Sequence, residues 1–272
     1  MVTTPPTLVC VHAHPDDEAL FTAGASLHYA ALGYRVVLVT CTNGQLGFDD
    51  RGRPGADPAH DVAITKALRA GELQRGAQLA GFARSVSLGY DDSGMMGWPQ
   101  NANPQAFMNC DVDATARTLA ALFDEVGATV VLTYDENGFY GHPDHVMANV
   151  VTRRALASAS TVERLYYPVA PRGVLERFVP EAQAKGVFLP QWVLEANYGV
   201  ADELVATTLD VTRFAERKQA CIAAHASQID NADLVTMDPA LFTLLFGTEY
   251  YQRAWSRSAP VGDTADLFGG LS

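Results

Sequence analysis

Leu8-Val9-Cys10-Val11 runs almost directly into Ala13-His14-Pro15-Asp16-Asp17-Glu18. A short, uninterrupted apolar run closed by a polar turn is the signature of a strand buried on both faces of a parallel sheet, here over 7–11. Downstream, Leu20, Ala23, Leu27 and Ala31 fall at helical spacing, which predicts a helix over 18–32 that stops at Gly33. The same alternation continues with a strand over 35–40, a helix over 64–80 and a strand over 85–88. A helix over 113–125 follows, with Leu119, Leu122 and Phe123 turned inward, then a strand over 129–133 and a helix over 144–158. Strands alternating with helices over some 160 residues predict an α/β fold, a mostly parallel sheet with helices on both faces. Two Gly- and Pro-rich stretches, 42–59 and 90–104, are long enough to be functional loops.

The last third is more irregular. Strands are expected over 164–169 and 204–209, with a long helix over 211–228 capped by Asp210. With no linker and no repeat, the 272 residues are expected to form a single domain, 1–272. Its core is 1–160, and 161–272 packs on it as a C-terminal extension.

A net charge of −12 argues against nucleic acid and anionic membranes as partners, because both need a basic face. The amino terminus lacks the basic and apolar regions of a signal peptide, and no apolar run approaches the roughly 18 residues of a membrane span. The four cysteines are scattered without a CxxC pair. A cytoplasmic enzyme acting on a small molecule is the expectation; the sequence leaves homo-oligomerisation open.

A second polar cluster, Gly141-His142-Pro143-Asp144-His145, comes shortly after the apolar run Thr129-Val130-Val131-Leu132-Thr133. Four of the seven histidines lie in these two places: His12, His14, His142 and His145. Either cluster alone could be a helix cap with a surface imidazole. Both follow buried strands, and open parallel sheets place their sites beyond the carboxyl ends of strands. Catalytic zinc takes about three protein ligands and keeps a position for water, a demand that His14, Asp17 and His145 meet. Such an ion lowers the pKa of water from 15.7 towards ~7. Asp16, beside the ligands, can then serve as general base. His142 can stabilise an oxyanion, with Asp144 holding its other ring nitrogen. One Zn2+ per chain is expected, although a His₂Asp site with an open position also accepts Fe2+.

At these residues the chain resembles the LmbE/PIG-L-type zinc-dependent N-deacetylases, which pair an Ala-His-Pro-Asp-Asp-Glu segment with a later His-Pro-Asp-His. It is most similar to the mycothiol-pathway members. The stretch from Thr133 to Tyr140, Arg69-Ala70-Gly71-Glu72-Leu73, Asp92-Ser93-Gly94-Met95 and the run from Lys218 to Gln228 resemble theirs. The resemblance implies a Rossmann-like fold, zinc on His14, Asp17 and His145, and Asp16 as base. It also implies His142 as oxyanion stabiliser or general acid backed by Asp144, and Tyr140 at the mouth polarising the carbonyl. Arg69 and Asp92 would meet sugar hydroxyls or an anionic group; a surface ion pair of Arg69 with Glu72 is the simpler alternative. His12 is expected to pack against or support the site rather than bind metal, and His225 to dock the last helix or stand near the pocket. One departure stands out. The loop after the second strand, Thr42-Asn43-Gly44-Gln45-Leu46-Gly47-Phe48, has no carboxylate before Asp49, and Phe48 invites stacking on a sugar ring.

The implied reaction is removal of an N-acetyl group from a glucosamine-containing small molecule. An amidase cleaving a larger acyl group, as from a thiol conjugate, is the variant, and pocket size would separate the two. A nucleotide-binding domain would need a Gly-rich turn after the first strand, which residues 12–17 lack. A two-metal phosphoesterase would need about twice the ligands, and a noncatalytic sugar-binding protein would have no use for Asp16.

Overall fold

The computed structural model describes residues 5–187, 189, 191–195, 198–258 and 265–271. Its centre is a seven-stranded sheet in the order β3-β2-β1-β4-β5-β7-β6. The strands are β1 (Thr7–His12), β2 (Arg35–Thr42), β3 (Arg84–Tyr90), β4 (Ala128–Leu132), β5 (Arg164–Val169), β6 (Thr207–Asp210) and β7 (Thr248–Ser256). The first five pair in parallel, whereas β7 runs antiparallel to both β5 and β6.

The expected two-sided burial follows from the period of two along each strand. Val9, Val11, Val37, Val39 and Val131 face one layer. It is built from α3 (Val112–Val126) and α5 (Pro143–Ala155). Leu8, Cys10, Val36, Leu38 and Leu132 face the other, where α1 (Ala23–Ala31) and α2 (Val62–Leu79) pack. The helices start where their side chains permit. The Asp61 carboxylate caps α2 and the Asp111 carboxylate caps α3, each satisfying an N–H that the first turn leaves unpaired.

β1 lies between β2 and β4, so the chain winds one way through β2 and β3 and the other way through β4 and β5. The loops after β1 and β4 diverge at this switch point and open a crevice there. Both polar clusters sit in it.

The expected helix over 18–32 is divided. Residues Glu18–Thr22 form a wide π-type turn before α1 begins. In the last third the differences are larger. The expected helix over 211–228 is only α7 (Ala215–Ala223), preceded by a 3₁₀ turn. The Asp210 carboxylate holds Thr212 N at 2.9 Å and does not cap α7. The expected strand over 204–209 is shortened to β6. Two larger elements carry no sequence expectation: α6 (Arg172–Ala184), and β7, which joins β5 to β6. Shorter helices are α4 (Gly138–Gly141), α8 (Ala232–Thr236) and α9 (Pro239–Phe246). Among the described residues no helix is long and apolar enough to cross a membrane.

Candidate metal centre and active site

The turn after β1 is tight because Pro15 stiffens it and because Asp17 folds back on it, its Oδ2 accepting the His14 N–H at 2.7 Å. Asp16 sits at φ 116°, a left-handed backbone that a non-glycine residue adopts only where its surroundings enforce it. They do so here. The Asp16 N–H donates to Glu18 Oε2 at 3.0 Å, and Arg69 Nη2 donates to Asp16 Oδ1 at 2.9 Å and also to the Pro15 carbonyl.

The second cluster begins α5. Pro143 takes the first helical position, where its missing N–H costs nothing. His142 is the cap, its Nδ1 accepting the Asp144 N–H at 3.1 Å. Just upstream, Gly138 stands at φ 64°, where an added Cβ would come within 2.7 Å of the His145 Cβ. Glycine is therefore required for His145 to seat.

Hydrogen bonding orients the two rings. A carboxylate only accepts, so His14 Nε2, 3.2 Å from Asp144 Oδ2, carries a proton. Burial opposes a second one, but Asp92, Asp144 and Asp17 outweigh it and raise the ring well above its ordinary value, so an ion on Nδ1 would take the place of that second proton. A carbonyl likewise only accepts, so His145 Nδ1, 3.1 Å from the Gly138 oxygen, carries its proton and Nε2 does not. His14 Nδ1 and His145 Nε2 face each other at 3.2 Å. Asp17 completes the group, Oδ2 lying 3.3 Å from His14 Nδ1 and Oδ1 3.5 Å from His145 Nε2. Ligands about 2.0–2.2 Å from a tetrahedral zinc stand roughly 3.3 Å apart, so this donor set fits a small divalent cation. The charges fit as well: Asp16, Asp17, Asp92 and Asp144 share the crevice with a single guanidinium, Arg69.

His142 brings a third imidazole to within 4.8 Å of His14 and His145. A second group within that distance joins His14, Asp92, His142 and Asp144. Asp17 splits its two oxygens between His14 and His145 and is absent from both groups. Its carboxylate brings a neutralising charge at the spacing of a shared ion, which the His142 imidazole does not.

The titrating groups are strongly shifted. Burial raises the Asp16 carboxyl to about 7, with Arg69 opposing the rise and Asp17 adding to it. Asp17 is also buried, but His145 and His14 hold it well below the usual carboxylate range. Burial and the neighbouring His14 push His142 down to about 3, so its ring is neutral at pH 7. Since His142 Nδ1 accepts the Asp144 N–H, the neutral ring's proton is on Nε2.

Several expected residues take other positions. Asp144 is expected to hold the His142 ring with its carboxylate. Instead that carboxylate faces His14 Nε2 and accepts from Ser93 N at 2.8 Å and from the Ser93 hydroxyl, and it is the Asp144 backbone that meets His142. Arg69 does not pair with Glu72. It is buried, its Nη1 held by the Gly44 carbonyl at 2.8 Å and its Nη2 by Pro15 and Asp16, while Glu72 accepts from Ser227 N and Oγ. Asp92 Oδ1 lies 3.7 Å from His14 Nε2 and accepts the Gly94 N–H at 2.8 Å. Phe48 and Tyr140 line the same cavity, the Tyr140 ring 5.0 Å from that of His145. His12 is wholly buried and bonded to Thr22 and Tyr134.

Sequence reasoning missed two supports. Tyr134 donates to Asp17 Oδ2 at 2.6 Å, accepts the Ala13 N–H at 2.9 Å and stacks on His145 at 4.1 Å. Glu18, the last residue of the first motif, reaches His225 Nε2 at 2.6 Å. Gly76 leaves room for that pair, since a Cβ there would stand 2.5 Å from the His225 ring.

A switch-point crevice holding imidazoles, a shared carboxylate and a second buried carboxylate defines the class: a hydrolase of Rossmann-like α/β fold with a candidate divalent-metal centre. The chain belongs to the PIG-L family of GlcNAc-PI de-N-acetylases, whose model matches residues 9–156. It is 37% identical over 286 residues to the 1D-myo-inositol 2-acetamido-2-deoxy-alpha-D-glucopyranoside deacetylase of Acidothermus cellulolyticus, covering 97% of this chain and 95% of that one. The enzyme of the same name from Geodermatophilus obscurus is 37% identical, covering 97% of each chain. Among solved structures, the N,N'-diacetylchitobiose deacetylase of Pyrococcus horikoshii superposes with a TM-score of 0.62 at 16% identity, covering 91% of this chain and 83% of that one. That likeness speaks for the fold.

Proposed function

We propose that this chain hydrolyses the N-acetyl amide of a glucosamine-containing small molecule, releasing acetate and a free amine. One divalent ion, zinc by its ligand chemistry, would be held by His14, Asp17 and His145. The observation that carries the reading is the convergence of His14 Nδ1, His145 Nε2 and the Asp17 carboxylate beside the separately held carboxylate of Asp16. When bound, the ion supplies the Lewis acidity that makes attack by water feasible at neutral pH.

The remaining chemistry falls to the chain. Asp16 in its ionised form takes a proton from the attacking water as the C–O bond forms, and passes one to the amine nitrogen as the C–N bond breaks. His142, neutral with its proton on Nε2, suits hydrogen-bond donation to the oxygen on which charge develops, and suits the role of charged general acid poorly. Tyr140 helps polarise the carbonyl from the mouth. Asp144 works through His14, whose orientation and tautomer it fixes. Arg69 works through Asp16, while Asp92 and Phe48 meet the sugar.

The relatives' named substrate makes the N-acetylglucosaminyl inositol the first compound to assay, beside N-acetylglucosamine. Amine and acetate released in equal amounts by the zinc-loaded protein are the expected result. No release from either, with one ion bound per chain, would overturn the reading.

A further inference from the structure

The crevice opens into one cavity of about 720 Å³, toward the large end of the ~300–1,000 Å³ typical of small-molecule sites and larger than an acetylated monosaccharide needs. It has two lobes of unlike character. One reaches His14 from its Nε2 side and is the more polar: Asp92, Arg69, Gln228, Asp230 and Asn231 line it, with Leu46 and Trp98 beside Gly94. The other begins at Phe21, whose ring is 6.1 Å from His145 and 4.7 Å from Phe139. It continues past Leu175 and Phe178 of α6 to Phe246 of α9, the last two rings 6.2 Å apart. Of the charged pair in its wall, Lys218 and Glu249, the carboxylate is fully engaged. Glu249 accepts from Lys218 Nζ at 2.6 Å, from Gly24 N and Ala25 N at 2.9 and 2.8 Å, and from the Tyr251 hydroxyl at 2.6 Å. It offers nothing to a polar ligand.

An amide at the metal centre likewise has two sides. Resting on the deacetylase reading above, a hydroxylated amine portion belongs in the polar lobe, and the acyl group then points to the apolar one. We propose a further activity on that ground: the enzyme cleaves glucosamine-type amides whose acyl group is a longer apolar chain, with acetyl as the shortest member accepted. The wall that fits this chain comes from the C-terminal third of the molecule, and an acetyl methyl would leave most of it wet.

The test is kcat/KM of the zinc-loaded full chain on N-acetyl-, N-butyryl-, N-hexanoyl- and N-octanoyl-glucosamine, with the octyl glycoside of N-acetylglucosamine alongside. Burial of each added methylene predicts a rise of about two- to fourfold per carbon through at least hexanoyl. Phe178→Asp and Leu175→Asn should each lower the octanoyl-to-acetyl ratio, which is read within one preparation and so does not depend on its folded fraction. Release from the acetyl compound with none from the longer amides would overturn the inference and spare the deacetylase reading. A gain confined to the octyl glycoside would overturn it too, placing the apolar group on the amine side. No release from any compound with one ion bound would overturn both readings.

Discussion

Arg69 crosses from α2 to the turn after β1 and donates to Asp16 Oδ1 at 2.9 Å while also holding the Pro15 carbonyl. One buried cation thus fixes both the strained backbone of Asp16 and the affinity of its carboxyl for a proton. Burial raises that carboxyl and Arg69 counters it, so removing the guanidinium must raise it further. In Arg69→Gln the acid limb of the kcat/KM profile should move to higher pH by about one unit, because Asp16 acts only when ionised. An unmoved limb with a lowered plateau would make Arg69 a purely structural contact.

Asp16→Asn keeps the shape of the turn and removes the base. Turnover should fall by roughly 10²–10⁴-fold with one ion still bound, as measured by elemental analysis beside initial rates. Loss of the ion, with activity restored by refilling, would exchange the roles given to Asp16 and Asp17.

Tyr134→Phe removes the donor to Asp17 and strands the Ala13 N–H. Metal affinity should weaken by about 10–100-fold, and the apo protein should lose roughly 1–3 kcal/mol of stability. A chelator competition and a denaturant titration measure the two effects separately.

The Glu18–His225 pair predicts a pH dependence of stability. Burial disfavours the charged ring, but Glu18 outweighs it and His225 titrates above its ordinary value. A raised folded pKa contributes stability that is fully present below the unfolded value near 6.5 and is lost as pH rises through the folded one. Unfolding titrations of the wild type should show this decline, and His225→Gln should show a shallower one across the same window, the remainder coming from Asp16, whose carboxyl is raised to about 7 in the fold. Glu18→Ala, which leaves the ring buried without its partner, should cost about 3–5 kcal/mol.

The parts legible in the sequence are those whose signal is local. β1, β2, β4 and β5 are apolar runs, and the two His/Asp clusters follow strands that come together at the switch point. β7 was not legible. Only Glu249 and Tyr251 are buried in a polar-looking Thr248–Ser256, and both its partners, β5 and β6, lie far off in sequence. The end of α7 was over-extended because Ala224 through Gln228 hold no glycine or proline to stop a helix, whereas in the fold His225 turns inward to meet Glu18. The side to which Asp144 turns depends on Ser93, a loop residue 51 positions away. Spacing within His-Pro-Asp-His carries no trace of it. Tyr134 likewise reads as a core aromatic, and only the packed site reveals its hydroxyl on Asp17.

The central claim is that His14, Asp17 and His145 hold one catalytic ion. It is tested most directly by stripping the protein with a chelator and adding zinc back in measured equivalents. Amine release from N-acetylglucosamine or its inositol glycoside is followed at each step. Activity should be absent from the stripped protein and should rise linearly to a plateau at one ion per chain. Undiminished release without metal, or a plateau only at two ions, would contradict the account.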